Sequence, residues 1–137
     1  MADSTKVIPH ADLETTPYWE AAREHKLKLP KCSQDGTFVF PPRPICPKCH
    51  SDKLEWTELS GRGAVYTFTI MHDKMVAGFD PPYVVAQVEL EEQAGLRLQS
   101  NILECPVPDV YIGMPVEVTF EDRSEEISVP QFRPRSS

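Results

Sequence analysis

The sequence predicts a mainly β chain in three parts: an arm and helix over residues 1–30, a small chelating ribbon over 31–56, and a five-stranded barrel over 57–137. Three observations predict it. Two short knuckles, Cys32-Ser33-Gln34-Asp35-Gly36 and Cys46-Pro47-Lys48-Cys49, flank a proline-rich aromatic stretch, and ligands two residues apart on a tight turn are how ribbons grip one ion. From Gly61 onward apolar residues recur with period two between turn residues, the pattern of half-buried strands. Ahead of both, Thr16-Pro17 precedes Tyr18-Trp19-Glu20-Ala21-Ala22-Arg23, which joins a capping residue and a first-turn proline to good helix formers.

Residues 1–14 lack periodicity and read as an arm. The helix starts at Thr16-Pro17 and has to end before Pro30. Tyr18 and Ala22 are four apart and Trp19 and Ala22 three apart, so the helix offers a narrow apolar stripe, either to its own domain or to a partner. Residues 37–40, Thr-Phe-Val-Phe, predict a short strand; Pro41, Pro42 and Pro44 then confine the chain to an edge or a turn. Residues 53–56 predict its counterpart. A ribbon of about 25 residues cannot bury a self-sufficient core, so it needs a metal, a neighbour, or both. Strands follow over 64–70, 83–90 and 96–103, then a brief helical turn over 106–113 closed by glycine, a strand over 116–120 and an extended run over 127–130. That order is the order of an OB-fold. Gly61 and Gly63 supply the bend that a first barrel strand needs.

Composition narrows the function. At 137 residues the chain suits one domain or two small ones. Three of its four cysteines lie within residues 32–49 and only Cys105 stands apart, which favours a metal site in a reducing compartment over a disulfide framework. The start carries no apolar stretch of signal-peptide type and no segment approaches the roughly 18 apolar residues of a span, so the expectation is a soluble cytoplasmic protein without membrane contact. Net charge is −7, and residues 57–137 hold six basic against thirteen acidic groups. Such a surface repels a phosphate backbone, which counts heavily against nucleic acid as the barrel's ligand and leaves an OB-fold nucleic-acid-binding protein as the disfavoured alternative.

Cys32, Cys46 and Cys49 are the metal-ligand candidates, with Asp35 standing where a fourth thiolate is expected and His50 competing for that corner. Zinc in a structural role suits this set. Three thiolates fall short of the four that an iron electron carrier uses. No catalytic constellation is legible. Cys105 and His72 belong to no nucleophile motif, and Glu91-Glu92 and Glu125-Glu126 read as solvated turns. The loop after the first barrel strand is apolar for a loop, and Met75, Phe79 and Tyr83 are its candidates for ligand contact, with a partner surface as the equal alternative.

Several blocks carry a family resemblance: Trp19-Glu20-Ala21-Ala22; Cys32 with Gly36; Phe40-Pro41-Pro42-Arg43-Pro44 leading to Cys46-Pro47 and Cys49; Ser60-Gly61-Arg62-Gly63 with Val65-Tyr66; Pro82-Tyr83-Val84-Val85-Ala86 with Val88-Glu89-Leu90; Ile112-Gly113-Met114-Pro115-Val116; and Pro130 with Phe132-Arg133-Pro134. In this order they resemble the DUF35 family, a rubredoxin-like zinc ribbon fused to an OB-fold and associated with acyl-CoA metabolism. The resemblance implies an accessory, non-catalytic subunit in a hetero-oligomer with a thiolase-like catalytic subunit, the acyl-CoA substrate lying at or near their interface. A short chain without an appended hydratase most resembles the partner of a retro-aldolase (a lyase) that shortens steroid side chains held as CoA thioesters; acyltransferase, thiolase and hydratase complexes are the alternatives. Tyr18, Trp19, Phe38 and Phe40 are the candidate interface anchors. Where family members place cysteine, this chain has Asp35.

Overall fold

The structure, a computed structural model, describes residues 9, 11–74, 78 and 80–135. Helix α1 spans Thr16–Arg23. A turn built on Asp12 leads into it: the carboxylate accepts the Glu14 and Thr15 N–H groups and the Thr15 hydroxyl. The helix stops well short of Pro30 because His25 takes a left-handed conformation, φ 61°. The His25 and Lys26 N–H groups then close back on the Ala22 and Ala21 carbonyls, a terminus in which glycine is the usual residue.

Extended chain follows at once as strand β1, Lys28–Cys32, which pairs antiparallel with β2, Leu54–Glu58. Leu27 and Leu29 are buried on one side of it. Pro30 is tolerated because this is a two-stranded edge, where its carbonyl accepts the Val39 N–H at 2.9 Å. The strand expected over 37–40 is reduced to one bridge, Lys31 to Phe38; the prolines that follow leave nothing to extend a ladder.

Five strands form the barrel: β3 Arg62–Met71, β4 Tyr83–Leu90, β5 Arg97–Asn101, β6 Pro115–Asp122 and β7 Ser128–Pro134, with a 3-10 turn at Val107–Asp109 before β6. Their order is β5-β4-β3-β6-β7, all neighbours antiparallel. A parallel bridge from Ile102 to Phe132 brings β5 to β7, so the sheet is nearly closed and the OB-fold is confirmed. Strand β3 serves both halves, pairing with β4 along its length and with β6 at Arg62–Ala64, after which a register shift at Val65/Thr67 bends it. Gly61 is required where the chain turns into β3: its φ is 82°, and a Cβ there would fall 2.2 Å from Val118 Cγ1.

Ribbon and barrel share a single core. Leu27, Leu29, Phe38 and Leu59 pack in one cluster with barrel residues such as Val88, Leu90, Leu98 and Phe132. The neighbour that so small a ribbon requires is therefore its own barrel. Among the described residues no helix is long and apolar enough to cross a membrane.

Candidate functional site

The two knuckles fold alike. In each, the residue four beyond the first cysteine donates its N–H to that cysteine's carbonyl, Gly36 to Cys32 and His50 to Cys46, both at 2.9 Å. Gly36 and His50 are both left-handed, φ 77° and 62°. His50 thus repeats the backbone role of Gly36. Among the described residues, one cluster brings Cys32, Asp35, Cys46 and Cys49 together with ligand atoms within 4.8 Å of one another, and the cluster holds Asp35 and not His50. Cys32 Sγ lies 3.5 Å from Cys49 Sγ, and Cys46 Sγ 3.5 Å from Asp35 Oδ2. Cys32 and Cys46 are buried while Asp35 and Cys49 face solvent.

Four acidic donors in so small a volume cannot all ionise without a counter-charge. The Thr37 N–H, which donates to Asp35 Oδ1 at 3.0 Å, holds that carboxyl well below the usual carboxylate range. The Cys49 N–H likewise lowers the Cys46 thiol. Cys49 bears the conflict: the Ser51 N–H pulls its pKa down, yet partial desolvation of the sulfur within the cluster and the neighbouring Cys32, Cys46 and Asp35 leave it at about 12. A divalent cation would remove that conflict, since metal-bound thiols are deprotonated outright. Three thiolates and one carboxylate in a tight cluster are the donor set of a metal site.

Of the candidate anchors, Tyr18 and Trp19 are half-buried, their rings 5.0 Å apart edge to face, and Phe40 lies 6.4 Å from Tyr18 with 36% exposure. These three form one aromatic patch. Burial of Tyr18 raises its phenol far above the ordinary value. Phe38 departs from the expectation, being 9% exposed and part of the core, with Lys31 Nζ 5.3 Å over its ring. It belongs to the core cluster against which Tyr18 also packs. In the loop after β3, Met75 and Phe79 lie outside the described residues. Tyr83 opens β4 and lines a cavity of about 260 Å³ with Asp80, Asn101 and Cys105. Burial, then the Asp109 charge, pushes the Cys105 thiol up, the reverse of what a nucleophile needs.

Two features escaped the sequence reading. Glu91 and Glu92 are not merely solvated: Glu91 accepts the Ser60 hydroxyl and pairs with Arg62 at 2.7 Å, and Glu92 accepts the Ser60 N–H. His25 Nε2 lies 2.9 Å from Asp122 Oδ1, which also accepts the Ser128 hydroxyl, while the imidazole stacks on Phe120. The Ser-Gly-Arg-Gly linker was a signal for the first and nothing in the sequence marked the second, because the partners of both are far away in sequence.

A knuckled ribbon and an OB barrel sharing one core define a zinc-ribbon and OB-fold protein. Residues 19–55 match the family described as "ChsH2, rubredoxin-like zinc ribbon domain" and residues 56–121 that described as "ChsH2, C-terminal OB-fold domain". A DUF35 domain-containing scaffold protein of Methanocaldococcus jannaschii is 45% identical over 101 residues, 70% of this chain and 68% of that one. The chain belongs to the DUF35 family. It is also similar to a "Probable enoyl-CoA hydratase alpha subunit" of Thermomonospora curvata, 35% identical over 92% of this chain. The "3-oxo-4,17-pregnadiene-20-carboxyl-CoA hydratase alpha subunit" of Mycobacterium tuberculosis is 33% identical over 83% of it. The chain spans only 39% and 36% of the lengths of those two proteins. Among solved structures, a chain of the "Ltp2-ChsH2(DUF35) aldolase" superposes with a TM-score of 0.84 at 34% identity, covering 92% of this chain and 98% of that one.

Proposed function

We propose that this chain is the non-catalytic accessory subunit of a thiolase-superfamily acyl-CoA enzyme, a retro-aldolase acting on a bulky side-chain CoA thioester such as that of a steroid. The observation that carries the reading is the aldolase chain's likeness over nearly its whole length. The steroid thioester in the printed name of the mycobacterial relative supports the substrate class. A hydratase complex is the second reading, favoured by the two hydratase alpha subunits.

In this reading the chain contributes structure, not chemistry. Among the described residues none pairs an activated nucleophile with a base, whereas Tyr18, Trp19 and Phe40 supply the rigid aromatic anchors in which interface energy concentrates. Zinc is the ion that the donors suit, being a borderline-soft cation at home with thiolates and tolerant of a carboxylate. Cys32, Asp35, Cys46 and Cys49 would hold it. Bound there, it neutralises the donors and fixes the ribbon hairpin on which Phe40 stands. The reducing cytoplasm suits a site that needs free thiols.

Co-expression with a thiolase-superfamily aldolase chain of the same organism, followed by size-exclusion chromatography, tests the assembly. The two chains should co-elute. Trp19→Asp should weaken association by about 2–4 kcal/mol, the scale of a hot-spot loss, and leave this chain folded. Separate elution of the wild-type chains, or co-elution indifferent to Trp19→Asp, would count against the reading.

A further inference from the structure

The turn joining β4 to β5 carries more than a hairpin needs. Glu91 and Glu92 grip Ser60, in the linker between ribbon and barrel, and Glu91 also holds Arg62, the first residue of β3. Gln93 reaches the ribbon itself. Its Oε1 accepts the Phe38 N–H at 2.8 Å and its Nε2 donates to the Phe38 carbonyl at 3.1 Å, so one carboxamide pairs with one residue's backbone as a neighbouring strand would. Phe38 is buried in the core cluster that also holds Leu90 and Leu96, the residues flanking the turn.

The other end of this connection is the donor cluster. Thr37, buried beside Phe38, donates its N–H to Asp35 Oδ1 at 3.0 Å and accepts the Cys32 N–H on its carbonyl at 2.8 Å. Any rearrangement of Cys32 and Asp35 therefore acts on Thr37 and, one residue on, on the amide that Gln93 holds. We infer that occupancy of the ribbon's metal centre is transmitted through Thr37 and Phe38 to Gln93 and the β4–β5 turn, with Gln93 the positioning residue of the coupling. The inference rests on the metal reading above. Without a cation the two knuckles lose the bonds that tie Cys32 and Asp35 to Cys46 and Cys49, and the first knuckle loosens. Phe38 then leaves the carboxamide, and the turn keeps only its grip on the linker through Glu91 and Glu92. The remaining strands, whose ladders do not pass through Gln93, stay as they were.

Hydrogen exchange on the full chain, zinc-loaded against chelator-stripped, reads this directly. The reporters are the Leu90 N–H, bonded to the Leu96 carbonyl, and the Leu96 N–H, bonded to the Gln93 carbonyl. Stripping should speed both on the order of tenfold, with the β6–β7 ladder unchanged. In Gln93→Ala, and in Gln93→Asn, whose shorter arm cannot span the same two bonds, zinc should still bind but the reporters should no longer respond to it. A structural brace would instead speed exchange in both metal states while keeping the tenfold response. That outcome, or reporters indifferent to stripping in the wild-type protein, overturns the inference and leaves the metal reading standing. Elemental analysis finding no zinc in unstripped protein sinks both together.

Discussion

Replacing Asp35 by alanine removes one donor of four and nothing from the core, because its side chain faces solvent. Structural zinc sites are worth about 10–16 kcal/mol, so an equal share per donor is roughly 3 kcal/mol. Water can enter at this exposed corner and recover part of that. The net loss should therefore be about 1.5–3 kcal/mol, or roughly ten- to more than a hundredfold in affinity. Competition against a chromophoric chelator at neutral pH measures it. Asp35→Cys, which makes the donor set four thiolates, should bind at least as tightly as the wild type. His50→Gly should change nothing, because a left-handed residue is all that position asks for and Gly36 fills its counterpart. Wild-type affinity in Asp35→Ala, or a loss confined to His50→Gly, would refute the donor assignment.

Two further substitutions test the fold that carries the site. Gly61→Ala should cost about 1–2 kcal/mol for its left-handed backbone and about 1–3 kcal/mol more for driving a Cβ to 2.2 Å from Val118 Cγ1. Gly113→Ala, with φ 91° but nothing within 4 Å, should cost only the first of these; equal shifts in urea melts would contradict the packing account. The Asp122 carboxyl is lowered from 3.8, first by the Ser128 hydroxyl and then by His25. A depressed folded pKa means a contribution present above the unfolded value and lost as pH falls through the folded one. The urea midpoints of wild type and Asp122→Asn should therefore differ at neutral pH and start to converge only below 3.8, as pH falls toward and through the lower folded value; a gap that persists in strong acid would assign the effect to shape, not charge.

Much of the fold is written in local sequence signals. Period-two runs of β-branched residues located β3, β4 and β6, and knuckle spacing brought the three cysteines and Asp35 into one cluster, because both are encoded within a few residues. The misreadings share a cause. Strand β1 was hidden because Pro30 reads as a boundary, and only its edge position makes it harmless. The strand expected at 37–40 drew on propensity, but the backbone of Phe38 is claimed by Gln93, 55 residues away. Glu91-Glu92 has the composition of a solvated turn and becomes a clip only once the linker is folded beside it. Choosing Asp35 over His50 needed backbone conformation: φ at residue 50 matches φ at residue 36, and no residue count reveals that.

The account turns on a division of labour between this chain and a catalytic partner. Turnover of a side-chain CoA thioester by a thiolase-superfamily aldolase chain of the same organism alone, by this chain alone, and by the two together measures that division most directly. The account predicts carbon–carbon cleavage from the pair and from neither chain alone. A partner fully active without this chain, or this chain turning over the thioester unaided, would contradict it.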